Sequence, residues 1–300
     1  MANKIAEFIK PYRVTKGGEF RLKDINPHDT GGIESELKQE AKDLLQHAIG
    51  QLSELQEKLY AQDHWAVLLV FQAMDAAGKD STIKHVLSGV NPQGCEVYSF
   101  KSPSDEELDH DFLWRASRRV PERGRIGIFN RSYYEEVLVV RTHPELLLRQ
   151  RIPRQLITKD IWHERFEDIN NFERYLARNG VVVRKFFLHV SKEEQKRRFL
   201  SRLDEPEKNW KFSLADARER QSWNDYMEAY EDMIRHTSSR QAPWFVVPAD
   251  NKWFTRLVVS AAVIDALQRL DLAFPKIDAR RREELAAARA ALTGEKRRKR

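Results

Sequence analysis

The sequence has a single cysteine, Cys95, among 300 residues. One thiol cannot form an intrachain disulfide, and a thiolate zinc site would need partners that this chain lacks. Oxidative folding and structural zinc are therefore excluded as sources of stability. With 41% hydrophobic residues, the chain is long enough to form one large α/β domain around its own core.

Long apolar runs are also missing from the sequence. The N-terminal stretch 1–14 has no apolar segment of signal-peptide length, and runs such as 65–70 are much shorter than a bilayer span. These features predict a cytoplasmic protein with no membrane partner. Internal repeats are absent, and so are low-complexity segments before the C-terminal tail.

The net charge of +6 comes from one end of the chain. Residues 276–300 carry ten Lys/Arg against four Asp/Glu, and the remainder carries 42 of each. This basic tail is predicted to be a disordered, solvated extension, and nucleic acid is not an expected partner. Within the neutral body, basic residues are bunched at 115–131 and 184–202, which predicts a local groove for an anion.

Short apolar runs alternate with helical patterns after residue 64, and this alternation predicts a parallel sheet covered by helices on both faces. Before it, residues 1–63 are interpreted as an N-terminal extension with a long amphipathic helix over 33–60. The main domain is assigned to 64–275. Its five predicted strands are Ala66–Phe71, Glu96–Phe100, Ile126–Phe129, Val181–Val190 and Trp244–Val247.

Residues 68–82 contain an apolar strand, a loop of small residues and the start of a helix. Backbone N–H groups of such a loop can surround a phosphate, Gly78 allows close backbone approach, and Lys79 adds a cation. The match to the general P-loop pattern is incomplete, because Ala73 replaces its first glycine and Asp80 replaces its Ser or Thr. An ordinary strand-to-helix turn with an incidental lysine would give the same segment.

A second polar cluster follows the predicted strand at 126–129. Ligands of open α/β sheets gather at the carboxyl ends of the strands, so Asn130 and Arg131 are predicted to lie near Lys79. The alternative for Arg131 is a simple ion pair with an acidic neighbour.

A cationic helix is predicted after the strand at 181–190. Ser191 and Glu194 have the spacing of a capping box, which marks the helix start. Arg198 and Arg202 are four residues apart and share one helix face. This arrangement is typical of the lid of P-loop kinases, here assigned to residues 191–240, although a solvated basic face would look the same.

Taken together, these segments resemble the polyphosphate kinase 2 family over about residues 26–275. The resemblance implies a three-layer α/β/α P-loop kinase with a five-stranded parallel sheet and a helical lid. It also accounts for Ala73 and Asp80, since the family has a variant phosphate loop. The matching motifs are 74–80 (MDAAGKD), 103–115 (PSDEELDHDFLWR), 130–134 (NRSYY), the basic lid, and 210–213 (WKFS).

Much of that family begins the second motif with Asp, and this chain has Asn130 instead. The Asn form is similar to the subgroup that phosphorylates both nucleoside mono- and diphosphates. It removes a negative charge from the expected Mg²⁺ site, which is assigned to Asp75 and Asn130 with most of the remaining ligands coming from substrate oxygens.

The resulting hypothesis is transfer of phosphoryl groups between polyphosphate and adenine or guanine nucleotides, by a homodimer or homotetramer. Catalysis is expected to depend on alignment and charge neutralisation. The rivals are an ATP-dependent nucleoside or nucleotide kinase on the same fold and a non-catalytic polyanion binder. Candidate catalytic residues are Asp75, Lys79, Arg131, Arg198 and Arg202; candidate phosphate-binding residues are Ala76, Ala77, Gly78, Lys79, Asp80, Ser81, Arg118 and Lys192; candidate nucleotide-binding residues are Asn130, Ser132, Tyr133 and Glu136.

Overall fold

The computed structural model describes residues 2–33 and 38–295 and has a six-stranded sheet at its centre. Its strands are β1 (Arg13–Val14), β2 (Ala66–Gln72), β3 (Cys95–Ser99), β4 (Ile126–Asn130), β5 (Val181–His189) and β6 (Trp244–Pro248). They lie in the order β1-β6-β5-β2-β4-β3.

All five predicted strands are present, and every pairing among them is parallel. The prediction of a purely parallel five-stranded sheet is wrong in one respect, because β1 adds a sixth, antiparallel strand beside β6. Two residues are too few to show the alternation from which a strand is recognised. The sheet is therefore mixed.

Helices cover both faces of the central strands, which are buried along their length. One layer contains α2, α3 and α11, with α1 packed on α11, and the other contains α7 and α10. The α-helices are α1 (Ala2–Ile9), α2 (Lys38–Gln62), α3 (Lys79–Val86), α4 (Asp105–Leu108), α5 (Trp114–Ser117), α6 (Val139–Thr142), α7 (Ile161–Arg178), α8 (Lys192–Asp204), α9 (Leu214–Glu219), α10 (Trp223–Thr237), α11 (Lys252–Gln268) and α12 (Ala279–Glu295).

The predicted amphipathic helix over 33–60 corresponds to α2, although Ile33 is not helical and residues 34–37 lie outside the described residues. The segment before it is part of the domain. Tyr12 is buried, packs edge-on against Phe254 of α11, and donates a hydrogen bond to Asp29 at 2.7 Å. The N-terminal residues therefore complete one helical layer and one sheet edge.

The chain near its C-terminus and in the predicted lid also differs from expectation. Residues 279–295 form the exposed helix α12, where a disordered tail was predicted.

Within the lid range, α10 contributes Tyr230, Met233 and Ile234 to the core. A helix packed in this way belongs to the core and not to a movable lid, and the lid assignment of the remaining range stays a prediction. In the described parts of the chain, every helix is too short or too polar to cross a lipid bilayer.

Candidate active site

The phosphate loop, residues 73–79, connects the end of β2 to the start of α3. Ala76 and Gly78 adopt positive φ angles of 63° and 105°. Alternation of right- and left-handed backbone conformations turns successive N–H groups to one side, which forms a concave nest for an anion. Within the described residues, the amides of Gly78, Lys79 and Asp80 have no protein acceptor, so they can bind a phosphate at the start of α3.

Lys79 lies inside this loop. Its Nζ donates a hydrogen bond to the carbonyl oxygen of Ala73 at 2.8 Å. Burial is the main cause that lowers the pKa of Lys79, and the charge of Arg131 lowers it further. The protein neighbours of the ammonium group therefore neutralise its charge only in part, and a bound phosphate would neutralise the rest.

Arg131 follows β4 with a positive φ of 62°, and its backbone N–H donates to Phe71 of β2. Its guanidinium donates to Glu135 at 3.2 Å and to Asp75 at 2.8 Å. The Glu135 charge, and then that of Asp75, raise the pKa of Arg131 above its usual range. Arg131 is therefore ion-paired, and it also lies beside the phosphate loop, as predicted; its catalytic role stays a prediction.

Asn130 and Asp80 line the same cavity as Lys79 and Arg131. The Asn130 side-chain amide donates to Asp80 Oδ1 at 2.7 Å. In the described residues, no three His, Cys, Asp or Glu side chains come together as a metal cage. Mg²⁺ is usually held by one or two carboxylates together with substrate phosphates and water, so oxygen donors on Asp75, Asp80 and Asn130 fit such an ion. Asp80 was predicted as a phosphate ligand only, and its contact with Asn130 places its carboxylate among the oxygen donors available to such an ion.

A broad basic cavity, here called the phosphate groove, opens in front of the loop. Eight Lys or Arg side chains line it against two Asp, and such an excess attracts a polyanion. Its lining comprises Asp75, Ala76, Gly78, Lys79, Asp80, Ser81, Ser99, Phe100, Lys101, Asn130, Arg131, Arg197, Arg198, Ser201, Arg202, Lys208, Trp210 and Lys252.

The two predicted lid arginines have different environments. Arg202 is partly exposed in the phosphate groove, with its guanidinium 5.6 Å from the Phe199 ring centre. Arg198 is only 6% exposed, and all of its N–H groups donate to protein acceptors at the groove floor. The prediction that Arg198 neutralises a transferring phosphoryl group therefore does not agree with this geometry, whereas the position of Arg202 is compatible with that role.

A second cavity, here called the side pocket, adjoins the groove and shares Lys101 and Arg131 with it. Its wall is more apolar than that of the groove. It is lined by Lys101, Ser102, Pro103, Glu107, Leu108, His110, Asp111, Phe112, Arg115, Arg131, Ser132, Tyr133, Glu135, Glu136, Val139, Val140, Leu146, Arg149 and Gln150.

Three of the predicted nucleotide-binding residues form the side pocket wall, but their polar atoms are already engaged. Ser132 is fully buried and accepts from the Tyr134 amide, and the Tyr133 hydroxyl donates to Glu173. Both oxygens of Glu136 accept hydrogen bonds, one from Arg165 and one from a glutamine, while burial raises its pKa. These side chains shape the pocket wall, and direct nucleotide contacts by them stay a prediction.

Two predicted phosphate ligands are not brought to the phosphate groove. Arg118 is exposed and stacks on Trp114, with its guanidinium 4.7 Å from the ring centre. Lys192 lies 5.9 Å from the Trp223 ring, beside a different cavity. Sequence clustering placed both with the other cations, but α5 and the first turn of α8 direct them elsewhere.

Other residues at the site were missed from the sequence. Lys101 joins the two cavities, and Gln195 of α8 binds the phosphate loop. Beneath the 130–134 motif, Glu173 accepts from both tyrosines and from Lys185 at 2.7–2.9 Å, entirely inside the core. Glu173 carries no distinguishing sequence signal, since it is one of several charged residues in α7.

A phosphate loop between a central parallel strand and a helix, with a basic groove in front of it, is the arrangement found in P-loop kinases. The sequence profile described as polyphosphate kinase 2 matches residues 34–275. This chain belongs to the polyphosphate kinase 2 family, as the motifs predicted.

Individual relatives match over most of their lengths. An ADP-polyphosphate phosphotransferase of Rhodopseudomonas palustris is 55% identical over 86% of this chain and 89% of its own. An AMP/ADP-polyphosphate phosphotransferase of Meiothermus ruber is 45% identical over 89% and 96%, respectively. The crystal structure of polyphosphate kinase 2 from Arthrobacter aurescens TC1 has a TM-score of 0.84 at 40% identity, covering 93% of this chain and 96% of that one.

Proposed function

We propose that this chain transfers phosphoryl groups between inorganic polyphosphate and nucleoside mono- and diphosphates, converting AMP to ADP and ADP to ATP with Mg²⁺. The observation that carries the proposal is the pair of adjoining cavities. The phosphate groove is open and strongly basic, as a polymer of phosphates requires, and the side pocket has the apolar wall that a nucleoside requires. They meet at Arg131 and Lys101.

In this proposal, an oxygen of the nucleotide phosphate attacks the terminal phosphorus of the polymer in line and bonds to it, the bond from that phosphorus to the bridging oxygen breaks, and polyphosphate one unit shorter leaves. That oxygen is ionised near neutral pH, so no strong general base is needed. Lys79 and the loop amides hold a phosphate, Arg131 and Arg202 stabilise the transferring charge, and Asp75 keeps Arg131 in place. Mg²⁺, near Asp75, Asp80 and Asn130, would neutralise phosphoryl oxygens and align the chain ends.

The decisive experiment incubates the purified protein with Mg²⁺, long-chain polyphosphate and either AMP or ADP, and separates the products by chromatography. ADP and ATP formation with no other phosphoryl source supports the proposal. Phosphorylation that requires ATP as donor would instead identify a nucleotide kinase. Tight polyphosphate binding without product would identify a polyanion binder, whose remaining support would be the basic segment 276–300.

Salt dependence supplies a second test. Exposed charge interactions are screened over about 10 Å at 0.1 M salt and about 3 Å at 1 M. The KM for long polyphosphate should therefore rise steeply with ionic strength, while the KM for the nucleotide changes less because its pocket is more apolar. Equal responses of the two constants would contradict the assignment of the cavities.

The proposal includes a cytoplasmic location, where AMP and ADP are available, and a homodimer or homotetramer. Light scattering during size-exclusion chromatography measures the assembly directly. A monomeric active enzyme would overturn that part alone.

A further inference from the structure

The buried face of α8 binds the outside of the phosphate loop. Gln195 is fully buried, and its side-chain amide donates to the carbonyl oxygen of Asp75 at 2.9 Å. Arg198, one turn further, donates to the next two carbonyl oxygens, those of Ala76 at 3.0 Å and Ala77 at 2.7 Å. Three successive loop carbonyls therefore accept hydrogen bonds from one helix.

Arg198 is also anchored on its far side. One terminal nitrogen donates to Ala249 at 2.6 Å and Asp250 at 3.1 Å, both just after β6, and Nε donates to Glu194 at 2.7 Å. An arginine has five N–H donors, and these contacts use all of them. None is left for a phosphoryl group unless a protein contact breaks.

These contacts explain how the loop keeps an unusual conformation before a ligand arrives. Ala76 has a positive φ of 63°, which is unfavourable for a residue with a side chain and persists only where surrounding contacts enforce it. Because its carbonyl and those beside it are fixed on the α8 side, the amides that follow face the phosphate groove.

We propose that Gln195 and Arg198 are positioning residues that hold the phosphate loop in its anion-binding conformation by engaging its carbonyl oxygens. The kinetic test of this inference rests on the proposed function. In this inference, Arg198 contributes to phosphoryl transfer by holding the loop, and not by contacting the transferring phosphoryl group. Gln195 also accepts from Arg220 at 2.6 Å, so the chain beyond α9 is tied to the same loop.

The kinetic consequence separates the two roles of Arg198. If Arg198 positions the loop, a smaller fraction of the variant protein has the loop in its binding-competent conformation. The apparent affinity for polyphosphate falls in proportion to that fraction. Saturating substrate then restores the loop, so KM rises while kcat is largely kept. If the residue instead stabilised transferring charge, kcat would fall and KM would change little.

The test compares Gln195→Met and Arg198→Met with Lys196→Met, a control on the exposed face of the same helix. We expect KM for polyphosphate to rise at least tenfold, with kcat within threefold of the parent, for Gln195→Met and more strongly for Arg198→Met. The amide of Ala77, which donates to the carbonyl oxygen of Met74 at 3.2 Å across the loop, should exchange its hydrogen faster in both variants of the free protein and at the parental rate in the control.

Two results would overturn the inference: parental KM and loop exchange in Gln195→Met, or a hundredfold loss of kcat at unchanged KM in Arg198→Met. Should Arg198→Met fail to fold, Gln195→Met decides alone, because Gln195 is neutral and lies outside the groove lining. A parent protein without polyphosphate activity would refute the proposed function instead. Hydrogen exchange and calorimetric binding of tripolyphosphate would then still decide the role of the two residues.

Discussion

Replacing Asn130 by Asp tests the electrostatic interactions around the proposed Mg²⁺ site. The Asn130 amide donates to Asp80 Oδ1 at 2.7 Å, so Asn130→Asp exchanges a hydrogen bond for contact between two carboxylates. Loss of a hydrogen bond to a charged group lowers the free energy of unfolding by about 1.5 to 3 kcal/mol. The lower value applies here because Asp80 is exposed. Repulsion in a water-like environment adds about 1 kcal/mol, so we expect a destabilisation of about 2 to 3 kcal/mol in total.

With an unfolding entropy of about 2.1 cal/mol/K per residue, that free energy corresponds to a thermal midpoint about 3 to 5 °C lower in EDTA for this 300-residue chain. Magnesium should reverse the loss, because a divalent ion between two carboxylates binds the folded state and stabilises it by mass action. Repulsion raises the pKa of one carboxyl of the pair. The deficit is therefore present above that raised pKa and should shrink as the pH falls through it.

Differential scanning fluorimetry in EDTA and in excess MgCl₂ measures both effects. Asn130→Ala is the matched control, since it removes the hydrogen bond without adding charge and should show no added response to Mg²⁺. Equal midpoints for Asn130→Asp and the parent in EDTA would refute the electrostatic reasoning. An Mg²⁺ response no larger than that of Asn130→Ala would refute the placement of the metal.

Three further substitutions test other parts of the structure. Lys79→Ala should abolish transfer yet leave the thermal midpoint unchanged or slightly higher, because the lowered pKa of Lys79 means that its charge opposes folding below that pKa. Lys185→Met should cost about 3 to 5 kcal/mol in urea unfolding, since it leaves the carboxylate of Glu173 buried without its cation; a loss below 1 kcal/mol would contradict this. Gly17→Ala drives a methyl group into the carbonyl oxygen of Arg235 in α10 and should cost about 2 kcal/mol, whereas Gly18→Ala, with open space around it, should be neutral.

The sequence predicted the central strands to within two residues at each end because each is a short apolar run between polar segments. Helix periodicity likewise predicted that Arg198 and Arg202 share a face of α8. Periodicity specifies neighbours on a helix and says nothing about what the helix packs against. The contact of Arg198 with loop carbonyls depends on tertiary packing between α8, β2 and β6, and this information is absent from local spacing.

The same limitation applies to the 130–134 motif. Its residues were correctly located at the carboxyl end of β4, yet the sequence does not tell which polar atoms face a cavity and which face the core. Tyr133 and Tyr134 point inward because Glu173 and Lys185 of other elements supply buried partners. Hydroxyl groups with such partners remain inside, since burial without them would be costly.

Asp250 connects the first thirty residues to the catalytic centre. Its backbone N–H donates to Pro27, its Oδ2 lies 2.8 Å from His28 Nδ1, and its Oδ1 accepts from the amide of Ser191 at the start of α8. The backbone oxygen of Asp250 meanwhile holds Arg198. Deleting the first thirty residues to obtain a minimal enzyme would remove the contacts that hold Asp250 in place. The shortened protein should still fold, but with a less rigid phosphate loop.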